Sequence, residues 1–235
     1  MLVLASSSPR RRELLAQAGY TFTVHSAHIP EDPLPNEDPI ACVTRLAREK
    51  AQAVFHELIQ APVTSASGSV LYQGTTSVVP QTRQIEARAL APEEIFSEIT
   101  AASASDQRAA AAFQVLAADT TVTLDNQILG KPENPADAAR MLRLLSGRTH
   151  QVITGVAIVT GTLFLTASES TSVTFRALTG DEIAAYIATG EPMDKAGAYA
   201  IQGRAARWIP RIEGDYFNVV GLPIALVSSL LDSLR

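Results

Sequence analysis

The sequence predicts an α/β protein with a mixed, twisted sheet and flanking helices. Two observations carry that expectation. Short apolar runs with strand character alternate with amphipathic stretches of helical period, separated by Gly, Pro, Asn and Asp. Such alternation belongs to layered folds in which helices cover the faces of a sheet. The composition agrees: 235 residues, 46% hydrophobic and 18% charged, suffice for one substantial core or two small lobes around a cleft.

Taken in order, residues 1–5 form a short apolar strand that empties into hydroxyls, a proline and three arginines. A helix follows over residues 9–18, with Pro9 at its first position, Leu14, Leu15 and Ala18 inward, and Gly19 as its stop. Residues 20–24 alternate like a strand and lead into a proline- and acid-rich loop, 28–38. A second helix starts near Pro39 and carries the apolar stripe Val43, Leu46, Ala47 and Val54, with Lys50 on the same stripe. From about residue 60 to 112, Thr, Ser, Ala, Gln and Gly dominate, and only 92–99 suggest a short helix. This segment is expected to be an insertion without chemistry inside a single domain spanning 1–235. Residues 113–118 are a buried strand expected to end on Asp119-Thr120-Thr121, and Asp125-Asn126 turns a hairpin between 122–124 and 128–129. A helix opens at Asn134-Pro135 with Met141, Leu142 and Leu145 inward. Strands over 151–160 and 163–175 follow, then a helix announced by the capping box Thr179 and Glu182 and closed by Gly190. A glycine-rich stretch, 194–203, precedes a final helix from about Pro223, with Ile224, Val227, Leu230, Leu231 and Leu234 on one face.

Composition narrows the function. No apolar run approaches the ~20 residues of a membrane span, and positive charge follows the first apolar stretch, the wrong order for a secretory signal. One cysteine, Cys42, excludes intramolecular disulfides and cysteine-cluster zinc sites, which suits a reducing cytoplasm. A formal net charge of -5 argues against a broad nucleic-acid surface. An anionic ligand would therefore need local arginines, lysines and a divalent metal.

Four places can supply that chemistry. In the turn at residues 6–12, Ser7 or Ser8 can cap a helix whose free N–H groups, dipole and arginine forks favour phosphate oxygens. The alternative is an ordinary capped helix with solvated arginines. Asp119, after an apolar strand, can orient water, accept a proton or ligate Mg²⁺, or merely cap its own turn. Lys131, in Gly130-Lys131-Pro132, does not belong to a P-loop, and a solvated side chain is the simplest view of it. In 194–203, small residues permit close backbone approach, Tyr199 offers a ring for a base and Gln202 an amide for its edge. Lys50 either snorkels or reaches into a pocket. Together these pieces fit a nucleoside triphosphate.

The same stretches, residues 4–11, 45–51, 118–120, 130–132, 151–154, 194–203 and 220–223, resemble the Maf family of nucleoside triphosphate pyrophosphatases in their order along the chain, with a longer stretch between Lys50 and Asp119 than the family usually has. The resemblance implies an elongated two-lobed fold with a central cleft, like that of the inosine triphosphatases. It implies cleavage to a monophosphate and pyrophosphate with Mg²⁺ or Mn²⁺, and a homodimer. Asp119 then activates water, and Asp119 with Glu31 binds metal. Arg10, Thr120 and Gln202 select the substrate, while Arg11, Lys50 and Lys131 hold phosphates and Ser7 joins them in binding substrate. The form of 194–203 resembles the branch acting on dTTP and UTP. Competing possibilities are a purine or 7-methyl-GTP preference, a nucleotidyltransferase, and a non-catalytic nucleotide-binding regulator of cell division.

Overall fold

The computed structural model describes residues 1–60 and 113–234. The helix expected at 92–99 lies outside them. Among the described residues, seven strands form one open mixed sheet: β1 (Leu2–Leu4), β2 (Phe22–Val24), β3 (Gln114–Leu124), β4 (Gln127–Leu129), β5 (Thr149–Val159), β6 (Phe164–Thr174) and β7 (Arg211–Glu213). Their order is β2-β1-β3-β5-β6-β7, with β4 hairpinned onto β3. The β2–β1 and β1–β3 pairs are parallel and all others antiparallel. The helices are α1 (Pro9–Gln17), α2 (Pro39–Gln60), α3 (Pro135–Leu145), α4 (Gly180–Ile187), α5 (Tyr216–Val220) and α6 (Ile224–Asp232). The α/β class with a mixed sheet is as the sequence predicts.

Local chemistry explains the elements. Pro9 occupies the first turn of α1 and the Ser8 hydroxyl accepts from the Arg11 N–H. Leu14 and Leu15 are buried, but Ala18 is exposed beyond the last turn, contrary to expectation. Thr179 and Glu182 form the predicted capping box of α4. Asp125 and Asn126 both adopt positive φ, the two-residue turn that matches strand twist. The short β7 and α5 have no counterpart in the expected elements; three- and five-residue pieces are too brief to show a period.

Asp119 is not at a strand terminus as expected. β3 continues to Leu124 because β5 pairs with it without interruption from Val115↔Val159 to Thr123↔Gln151. The other edge of β3 is different. β1 pairs only with Gln114–Leu116 and β4 only with Val122–Leu124, so among the described residues no strand lies beside 117–121 there.

The cores reflect the alternation of side chains along β3 and β5. On one face, Val115, Ala117 and Ala157 pack under Ala47, Ala51, Val54 and Phe55 of α2. The other face carries two separate clusters. Leu116, Ala118 and Val156 join α1 and α6 through Leu14, Leu15, Val227 and Leu231. Val122 and Val152 join α3, α4 and the 194–208 region through Met141, Leu142, Ile183 and Trp208. Thr120 and Thr154, a register pair, stand at the seam between those two clusters. The open edge of β3 and this polar seam meet, and the site lies there.

Candidate active site

A cavity of about 850 Å³ opens at the gap, and every candidate residue named from the sequence lines it: Ser7, Arg10 and Arg11; Glu31 and Lys50; Asp119 and Thr120; Lys131 and Gln202. The opening basic turn and Asp119, more than a hundred positions apart, thus share one space.

Close packing delivers Lys50 to Asp119. Gly155 lies opposite Asp119 in the β3–β5 register. A Cβ there would stand 2.3 Å from the Val43 carbonyl oxygen, so only glycine lets α2 approach this near. One turn of α2 beyond Leu46, the stem of Lys50 is buried and its Nζ enters the cavity, 2.6 Å from both Asp119 Oδ1 and Glu31 Oε1. Lys50 therefore does not snorkel. Lys131, 62% exposed at the rim, reaches Glu31 Oε2 at 3.1 Å. Burial pushes the Glu31 carboxyl up, but the two ammonium groups outweigh it and hold it down to about 2. Asp119 lines the cavity, and its Oδ2 has no hydrogen-bond partner among the described residues.

The arginine turn divides its work. Ser6 Oγ accepts from the Ser8 N–H at 3.2 Å, which tightens the turn, and Ser7 is exposed at the cavity. The side chain of Arg10 has no hydrogen-bond partner among the described residues and lines the cavity. Arg11 is engaged throughout: Nε donates to Gly221 O at 2.8 Å, Nη1 to Ala118 O at 2.8 Å, and Nη2 to Thr120 Oγ1 at 3.0 Å. Burial lowers its pKa, against the attraction of Asp119 and Glu31. Thr120 Oγ1 also meets Thr154 Oγ1 at 2.9 Å.

The glycine-rich segment folds into short 3-10 turns, over Glu191–Asp194, Ala196–Ala198 and Arg204–Trp208. Gly197, at φ +67, donates to Gly130 O and presses on Val122, where a Cβ would come within 2.8 Å. That bond ties the Lys131 loop to this segment. Tyr199 borders the cavity, but most of its ring is committed to the core. The ring is 5% exposed, packs edge-on against Phe175 and His150, and its hydroxyl meets His150 Nε2 at 2.8 Å. An aromatic among small residues packs in the core because burial there recovers its large apolar area. Gln202 is exposed at the rim, its amide without a protein partner among the described residues. Glu191 braces its loop, accepting from the Arg204 N–H and the Tyr186 hydroxyl.

Three features went unassigned in the sequence. Lys195, paired with Asp194, lines the cavity with its stem buried. Thr154 and Gly221 support Thr120 and Arg11 from opposite sides. Lys195 was visible as a charge amid small residues; Thr154 and Gly221 stood in family-like stretches, but their partners show only once the strands pair.

Among the described residues no group of three His, Cys, Asp or Glu side chains could hold a metal ion. Asp119 and Glu31 nevertheless supply two carboxylates held close by one shared ammonium. A small hard cation bound by one or two carboxylates plus substrate phosphates suits that donor set. Among the described residues no helix is long and apolar enough to cross a membrane.

Fold and cavity define an α/β protein with a cleft lined by cations and carboxylates, suited to a polyphosphate ester. A sequence model of the Maf family, described as Maf-like protein, matches residues 1–234, and the chain belongs to this family. It is 45% identical over 233 residues to the dTTP/UTP pyrophosphatase of Moorella thermoacetica, covering 98% of this chain and 93% of that protein. It is 42% identical over 230 residues to the dTTP/UTP pyrophosphatase of Koribacter versatilis, covering 98% and 92%. The protein of that name from Shewanella denitrificans is 42% identical over 237 residues, covering 99% and 95%.

Proposed function

We propose that this protein hydrolyses dTTP and UTP, and modified pyrimidine nucleotides of similar shape, to the monophosphate and pyrophosphate. The observation that carries this proposal is the shared cavity, in which Arg10, Lys50, Lys131 and Glu31 line one space with Asp119. The names of the full-length relatives support the choice of substrate.

In the proposed step Asp119 takes a proton from a water held at Oδ2. The water oxygen bonds to the α-phosphorus, the α–β bridging P–O bond breaks, and pyrophosphate leaves. Arg10, Lys50 and Lys131 neutralise charge along the triphosphate, Ser7 adds a hydroxyl contact, and Thr120 and Gln202 line the path to the base. Glu31 and Asp119 would hold Mg²⁺ or Mn²⁺, which when bound supplies charge neutralisation to the phosphates. Most of the gain comes from positioning and fixed charges. A homodimer in a reducing cytoplasm completes the proposal, and the single buried thiol of Cys42 fits that compartment.

The test is a substrate panel with product analysis. Purified protein with Mg²⁺ should release pyrophosphate and monophosphate from dTTP and UTP faster than from purine nucleotides. Asp119→Asn should lower turnover by ~10²–10⁴-fold, the usual worth of a general base. Orthophosphate and a nucleoside diphosphate as products, or full activity in a folded Asp119→Asn variant, would refute it.

A further inference from the structure

We propose that Arg11 is a positioning residue: its guanidinium donates to the edge of β3 between the stretches paired with β1 and β4, and so fixes the backbone that carries Asp119. The inference rests on the proposed hydrolase function for its kinetic readout.

The geometry is that of an interrupted ladder. Ala5, just past β1, donates its N–H to Leu116 O at 2.8 Å. Two residues further along the same edge, Arg11 Nη1 donates to Ala118 O at the same distance. A side chain thus continues the row of donors where the strand has run out. The Ala118 carbonyl belongs to the peptide group whose nitrogen is that of Asp119, so this bond sets the plane from which the Asp119 side chain departs. Nη2 fixes the Thr120 hydroxyl, which Thr154 holds from β5, and Nε fixes Gly221 in the turn between α5 and α6. Nη1 also lies 3.5 Å from Ser6 Oγ. Two separate segments, β3 and the turn at Gly221, converge on one planar fork. A guanidinium bears five N–H donors, and most of these are taken by the protein. Its neighbour Arg10 lines the cavity and makes no hydrogen bond among the described residues, so the two consecutive arginines have different tasks: Arg10 meets substrate, and Arg11 builds the wall.

Lysine discriminates this role from phosphate binding. An ammonium is a competent phosphate partner as a point charge, but it cannot span three fixed acceptors. Arg11→Lys and Arg11→Ala should both lose kcat for UTP by ~100-fold, the usual cost of a small misplacement of catalytic groups. KM, and the Kd of a non-hydrolysable α,β-imido UTP, should stay within about threefold, since phosphate contacts are intact. Ethylguanidinium should restore part of the turnover of Arg11→Ala, and ethylammonium should not. Should Arg11→Ala fail to fold, Thr154→Val removes the opposite support of Thr120 and should show the same fall in kcat with KM retained. An Arg11→Lys variant with kcat within threefold of wild type, or a loss confined to KM and Kd, overturns the proposal. Wild-type protein without turnover on any nucleotide would refute the hydrolase reading alone. Amide hydrogen exchange across residues 118–121 then decides for Arg11: faster exchange in Arg11→Lys supports the role, and unchanged exchange overturns it.

Discussion

Replacing Lys50 by methionine keeps the stem and removes the charge that holds Asp119 and Glu31 together. The ammonium is 2.6 Å from an oxygen of each, on a side chain 8% exposed; Asp119 is 14% and Glu31 46% exposed. Removing one member of a buried pair typically costs about 3–5 kcal/mol, because the other is left charged and unpaired. Solvent at the half-exposed Glu31 screens part of this, which brings the expected loss to roughly 2–3 kcal/mol. That is a large part of the stability of a typical domain, about 5–15 kcal/mol. Trp208, the single tryptophan and fully buried, reports unfolding in urea by fluorescence. The sign of the pH dependence follows from Glu31. Although burial pushes its carboxyl up, the lysines hold it down to about 2, below its ordinary 4.5. A carboxyl lowered in the folded state contributes stability above its unfolded pKa and loses it as pH falls through the folded one. The deficit of Lys50→Met should therefore be full at pH 7 and narrow between about 4.5 and 2. A variant within ~0.5 kcal/mol of wild type at pH 7, or a deficit indifferent to acid, would refute the reasoning.

Two further outcomes follow from the same structure. Gly155→Ala should cost about 3 kcal/mol or yield insoluble protein, since its Cβ would meet backbone atoms of α2, at Val43 and Thr44, that cannot turn aside; a urea midpoint equal to wild type contradicts this. Burial pushes His150, 2% exposed, down to about 4 from its ordinary 6.5. The unfolded chain then takes up a proton that the fold refuses, so stability should fall as pH drops from about 6.5 to 4, by at most on the order of 3 kcal/mol. His150→Gln should flatten the curve in that window, leaving the carboxylate-driven fall below about 4.5; an unchanged curve would show that His150 carries none of it.

Much of the fold was legible because local chemistry agreed with tertiary structure. Pro9 with Ser8, Asn134 with Pro135, and Thr179 with Glu182 each mark a helix start, and each start is where the structure has it. Where tertiary pairing overrides local signal, the sequence misled. Asp119-Thr120-Thr121 looks like the end of a strand, yet β5 carries β3 straight through it. Tyr199, which borders the cavity, also completes the aromatic cluster around His150 and Phe175, a packing role the sequence did not show. The candidate site was legible as a set of residue types. Its division of labour was not: Arg10 and Arg11 are adjacent and chemically identical, and only the gap between β1 and β4 shows which guanidinium is bound by the backbone and which lines the cavity. The insertion at about 60–112 remains an expectation from composition.

The central claim is that water attacks the α-phosphorus of a nucleotide lying beside Asp119. Hydrolysis of UTP in ¹⁸O-labelled water, with both products analysed by mass spectrometry, tests it directly. Label in the monophosphate and none in the pyrophosphate is the predicted result. Label in pyrophosphate, or in orthophosphate released from the γ-position, would contradict it.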